Sequence, residues 1–323
     1  GVVTGDVWSF TTRIINARVY EWNFENGNLS PRLGTGVLAY ADGATTSNLT
    51  VFGTTDGTTV PHIGAKPTKY LRAPAFTGIG NGYLATFTDS PPNGGGEYIN
   101  QYTMIFDVLL PSPIAWFPFF NTNPGNTAGN DADFYVSPAG ALGIGDIGYS
   151  ATNLIAANTW YRIAFAADLA AGTVSYYRNG TPVFAGNADL DGRHSIYSNA
   201  EPGPDLLLFN EGDTSGVYTH VVYLSSFLFT DRTLSASEIA ALGGPKARGI
   251  LVPATPINLS IDLQTDNVFL HWSGGEGPFQ VQKTSALTNN AVWQNAGSPT
   301  SNTNAIILRD SDAAFFRVLG QWP

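Results

Sequence analysis

The sequence predicts an all-β protein built from two antiparallel sandwiches, and three observations predict it. Charged residues make up only 12% of the chain, aromatic residues another 12%, and there are 36 glycines. That mixture suits many short strands joined by tight polar turns. Apolar and aromatic runs recur between Gly-, Pro- and Asn-rich breaks along the whole length. Helix signals occur at one place only.

With 323 residues the chain is long enough for two domains, each with its own core. The first residues stand apart. Within 1–15, Trp8, Phe10 and Thr12 fall on one face of a strand and Val7, Ser9 and Thr11 on the other. No hairpin partner lies close in sequence.

A large domain is expected over 16–250. Its strands are read at Arg18–Phe24, Tyr102–Leu110, Asp133–Val136, Trp160–Ala166, Leu206–Phe209 and Tyr218–Phe229. Val174–Arg178 turns at Asn179-Gly180 into Thr181–Phe184, which is the strongest hairpin signal. Ser235 and Glu238 form a capping box, Ile239 and Leu242 give an apolar face, and Gly243-Gly244-Pro245 ends that short helix. Pro253 and Pro256 mark a stiff linker. Strands at Ile257–Leu263, Val268–Trp272, Phe279–Thr284, Ala305–Leu308 and Ala314–Leu319, with Trp293 on a short edge strand, predict a small sandwich over 254–323.

Tyr102-Thr-Met-Ile-Phe-Asp107, Asn158-Thr-Trp160-Tyr-Arg-Ile163, the Tyr176–Val183 hairpin and Leu234–Leu242 occur in the order and spacing of a known family. On those residues the large domain resembles the laminin-G-like, concanavalin A-like jelly rolls. Val268–Trp272 and Ala314–Val318 make the tail similar to fibronectin type III-like modules of secreted bacterial proteins. Gly5–Thr12 looks like the last strand of such a module. The resemblance therefore implies an antiparallel jelly-roll sandwich plus a small fibronectin type III/Ig-like β-sandwich in a secreted, extracellular or cell-surface protein.

Charge and motifs narrow the chemistry. A net charge of −10 leaves nothing to neutralise a row of phosphates, so nucleic acid is excluded as a partner. No run approaches 18 apolar residues, so no membrane insertion is expected. The chain has no cysteine, which removes disulfides, thiolate metal sites and cysteine nucleophiles. Some jelly rolls are glucanases with Glu-x-Asp-x-x-Glu on one strand. The nearest approach, Glu211-Gly-Asp213-Thr-Ser-Gly216, lacks the final Glu. His62, His194, His220 and His271 show no zinc spacing. The chain is not expected to be an enzyme, and no cofactor is required.

Two weaker signals remain. Asp131 and Asp133, and likewise Asp189 and Asp191, are candidate calcium ligands, because some laminin-G-like relatives hold that ion; the alternative is solvated turns. Trp116 and Phe119 beside Asn121 form an aromatic run that would serve either as a platform for glycans or as core. The ends of the chain carry the main functional expectation. Val7, Trp8, Phe10 and Thr12 would be a donor strand, and Phe315, Phe316 and Val318 the edge that receives it from a neighbouring copy. Repeated head to tail, that contact would build a filament of copies of the chain. The alternative is a glycan-binding module of a larger secreted enzyme.

Overall fold

The computed structural model describes residues 18–42, 44–76, 80–87, 89–122, 132–196, 205–211, 220–251, 257–275, 279–286, 291–309 and 314–319. The donor-strand residues Val7, Trp8, Phe10 and Thr12 lie outside them, as does Asp131. The chain divides into two compact units at Ile250/Leu251.

The first unit opens with β1 (Val19–Trp22), β2 (Val37–Tyr40), helix α1 (Ala44–Leu49), β3 (Val51–Thr54), β4 (Lys69–Ala73) and β5 (Tyr83–Thr86). Then come β6 (Gln101–Leu109), β7 (Phe117–Asn121), β8 (Phe134–Val136), β9 (Leu142–Ile144) and β10 (Gly148–Tyr149). The hairpin-rich remainder holds β11 (Trp160–Asp168), β12 (Thr173–Arg178), β13 (Thr181–Asn187), β14 (Asp205–Leu208), β15 (Val222–Thr230) and helix α2 (Ala236–Leu242). These strands form two antiparallel sheets. One runs β13–β12–β11–β6–β15–β4–β3, with β1 also paired to β15; the other runs β10–β9–β8–β7–β14–β5–β2.

The core between them follows from strand alternation. On β6, Tyr102, Met104, Phe106 and Val108 enter the intersheet cluster, and on β11 so do Ile163, Phe165 and Ala167. The register Trp160↔Leu109 through Asp168↔Gln101 aligns the two strands over their full length. Phe87 stacks on Phe229 at 3.8 Å, and Phe106 on Phe227 at 4.9 Å. Fully burying one such ring contributes roughly 1.5–3 kcal/mol. On the far side of β6, Thr103 accepts from Leu234 N and donates to Arg232 O, fastening the segment before α2.

The capping box is present: Glu238 N donates to Ser235 Oγ at 3.3 Å, and Ser235 N to Glu238 Oε2 at 2.8 Å. The Asn179-Gly180 turn is also as expected, with φ of 51° and 82°. A left-handed pair of this kind twists with the strands it joins. At Gly180 an added Cβ would sit 3.2 Å from Ala240, so the tip can lie against α2.

The second unit contains β16 (Asn258–Leu263), β17 (Asn267–Ser273), β18 (Gln280–Thr284), β19 (Gln294–Asn295), β20 (Asn304–Leu308) and β21 (Phe315–Leu319). They form the sheets β16–β17–β20 and β19–β18–β21. Val268, Leu270 and Trp272 of one sheet and Phe279 and Val281 beside the other make the core, with Trp272 edge-on to Phe279 at 5.5 Å. Both units are thus antiparallel β-sandwiches, as the composition predicted. The short edge strand lies at Gln294–Asn295, directly after Trp293.

Candidate functional site

The aromatic run 116–121 is where sequence and structure part. Phe117, Phe119 and Phe120 are fully buried in the intersheet core. Phe119 stacks on Phe134 at 4.5 Å and tilts against Phe106 at 5.1 Å. Asn121 is 1% exposed, and its side-chain amide donates to Glu211 O. Neither residue can meet a glycan here, so both assignments are corrected to core and strand fixation. A register shift between Pro118 and Phe120 explains why the run shows no alternation to read.

Trp116, just before β7, has a different setting. It is half-buried beside a small cluster made of Ala132, Tyr135 and Ile144, with Ile147 and Tyr149 packed on it. Tyr135 alternates with Phe134 and Val136, which point into the main core, so it projects to the other side of the sheet. Trp116 meets Tyr135 edge-on at 6.0 Å and Tyr149 at 5.9 Å and 62°. Tyr149 is also half-buried.

A charged group borders this cluster. Arg193 Nε donates to Asp133 Oδ1 at 2.8 Å, NH1 to Asp146 Oδ2 at 2.6 Å, and NH2 to Ala132 O at 3.2 Å. Asp146 sits in the turn between β9 and β10 with its side chain 69% exposed, whereas Asp133 is buried. Two carboxylates thus flank one guanidinium beside an amphipathic aromatic surface. Arg193 and Asp146 carried no sequence signal. They lie 47 residues apart and meet only through the fold.

Two of the calcium candidates, Asp133 and Asp191, are engaged by other groups. Asp133 Oδ2 accepts from Thr122 N at 2.7 Å and Thr122 Oγ1 at 2.8 Å, in addition to its pairing with Arg193. Asp191 accepts from Glu97 N, Tyr98 N and the Asn100 amide. The Asn100 amide, with the backbone donors behind it, holds the Asp191 carboxyl below the usual range. These two carboxylates hold loops in place through the hydrogen bonds they accept. Asp189 is exposed, and its carbonyl closes a turn to Gly192 N. Among the described residues no group of three or more His, Cys, Asp or Glu could hold a metal ion. Glu211 is fully buried, and Asp213 lies outside the described residues.

The receiving-edge candidates are all on β21. Phe316 and Val318 pack against the core of the second unit and are half-buried, while Phe315 is 41% exposed on the other face. Among the described residues β21 pairs on one side only, with β18.

No family model matches the chain, and no curated protein matches it. Solved structures do. A Trypanosoma rangeli sialidase in complex with sialic acid is 17% identical over 53% of this chain and 26% of its own, with a TM-score of 0.36. The Ruminococcus gnavus IT-sialidase CBM40 bound to α2,3-sialyllactose is 14% identical over 54% of this chain and 98% of its own, with a TM-score of 0.35. The match therefore spans about a quarter of the sialidase chains. Likenesses this distant assign no ligand to the present protein, whose reading rests on its own geometry. Among the described residues no helix is long and apolar enough to cross a membrane.

Proposed function

We propose that this chain is a non-catalytic, extracellular carbohydrate-binding protein, and that its first unit holds a neutral sugar against Trp116 and Tyr149. The observation that carries the reading is the half-buried Trp116–Tyr149 pair at 5.9 Å, bordered by Arg193 and Asp146. Aromatic faces offer apolar area to the C–H face of a pyranose, and nearby forked donors and acceptors orient its hydroxyls. Among the described residues, two carboxylates around one guanidinium make the neighbourhood net negative, which disfavours an acidic sugar. A chain of net charge −10 adds to that bias at long range.

Calorimetric titration with a panel of neutral and sialylated oligosaccharides tests this. Binding of a neutral member is expected, weakened at least tenfold in Trp116→Ala and in Tyr149→Ala with the folded circular dichroism spectrum retained. A wild-type chain that binds none, or a Trp116→Ala variant that binds unchanged, overturns it.

A further inference from the structure

Among the described residues, the second unit leaves apolar core positions open on one side. On β16, Leu259, Ile261 and Leu263 are in register with Trp272, Leu270 and Val268 of β17. Those three partners are 5%, 0% and 4% exposed, so this face of β16 looks into the core. Yet Ile261 is 46% exposed and Leu263 71%. Across the sandwich, Phe316 and Val318 of β21 are opposite Lys283 and Val281, and Val281 is buried. They too face inward and are only half-buried.

The positions of the other strands show why. A cleft of about 540 Å³ lined by Asn295, Ala296 and residues 304–308 sets β20 opposite β19. The two sheet orders then bring β16 and β21 to the opposite side, each hydrogen-bonded on one flank only among the described residues. Inward-facing apolar side chains that remain exposed, between two edges unpaired among the described residues, are suited to receive an added strand.

We propose that the open side between β16 and β21, away from that cleft, receives residues 6–12 of a second copy of the chain, added as a strand beside β21. Seventeen residues precede Arg18 outside the described part. Among them Asp6–Thr12 alternate, with Trp8 and Phe10 two positions apart. Ile261 and Leu263 have the same two-residue spacing, so two rings on one face of the incoming strand match two uncovered side chains. The segment is seven residues against six on β16 and five on β21. Backbone bonds to β21 supply register, and the rings supply burial. Donor and acceptor are different surfaces of one chain, so the contact propagates head to tail. It is independent of Trp116.

The test compares the full chain with a variant lacking residues 1–13. Analytical ultracentrifugation is expected to show concentration-dependent assembly of the full chain and a monomer for the variant. A synthetic peptide of residues 5–13 is expected to bind the variant and to slow amide exchange in β16 and β21. Leu263→Asp, at an exposed position the fold tolerates, is expected to weaken both assembly and peptide binding at least tenfold. Trp116→Ala is expected to change neither. Assembly by the shortened variant, or peptide binding that is absent or indifferent to Leu263→Asp, overturns the proposal. So does a monomeric full chain with β21 already protected, since the segment would then fold into its own chain.

Discussion

Arg162 and Asp107 face each other fork to fork across β11 and β6, with Nε–Oδ1 and NH2–Oδ2 both at 2.7 Å and neither side chain more than 1% exposed. The remaining nitrogen, NH1, donates to Leu242 O at 2.6 Å. One buried cation thus joins the longest strand pair of the first unit to the last turn of α2. Paired, and with each of its three nitrogens hydrogen-bonded, it escapes the penalty of an isolated buried charge.

Breaking that pair is expected to be costly. Asp107→Ala should destabilise the first unit by about 3–5 kcal/mol, because it leaves a guanidinium buried without its carboxylate. The double replacement Asp107→Leu with Arg162→Met should recover much of the loss. Urea unfolding of the single and double variants checks both, and equal destabilisation in the two would contradict the account.

Two buried tyrosines should respond oppositely to loss of a hydroxyl. Tyr102 donates to His194 O at 2.6 Å, whereas the Tyr176 hydroxyl is buried with no hydrogen-bond partner among the described residues. Tyr102→Phe should cost about 1–2 kcal/mol, and Tyr176→Phe should be neutral or stabilising by up to about 1 kcal/mol. Thermal midpoints of the two variants decide it.

His194 should make stability sensitive to mild acid. It is 3% exposed, lies against Phe165 at 5.8 Å, and its Nε2 has no partner among the described residues. Burial pushes its pKa below the ordinary value of 6.5. The unfolded chain therefore takes up a proton first. The contribution is complete above about pH 6.5 and falls as pH drops toward the folded pKa. Urea midpoints at pH 8, 6.5 and 5 should show that loss, and it should be smaller in His194→Gln.

Sugar selectivity should follow the charge around Arg193. Asp146→Asn removes the exposed carboxylate at 2.6 Å from the guanidinium and leaves Asp133 in place. The variant should bind sialylated oligosaccharides better relative to neutral ones, by about three- to tenfold at low salt. An unchanged ratio would place the sugar elsewhere.

The parts of the fold legible in the sequence were those with local causes. The Asn179-Gly180 turn, the Ser235/Glu238 box and the alternating β17 announce themselves within a few residues. Strands β2 to β5 and β7 did not. In β7 every residue is buried, so no polar face marks a period, and a register shift interrupts what remains. The donor–acceptor pair Arg193–Asp146 was hidden for another reason, since its members come from distant loops. For Asp133 and Asp191 the sequence leaves two roles open, because a carboxylate fixing a loop and one holding an ion share the same spacing. Only the partners distinguish them.

Glu21 lies fully buried on β1, where its Oε1 accepts from Ile250 N at 2.6 Å and its Oε2 from Arg32 at 3.1 Å. Nearby, the Asn23 amide donates to Arg248 O at 3.0 Å. The entry and exit of the first unit are therefore buckled at a single point. Tension drawing these two ends apart would pull on this clasp as well as on the ladder between β1 and β15. The same closeness lets the unit be spliced into a host loop as a cassette without prising the loop apart.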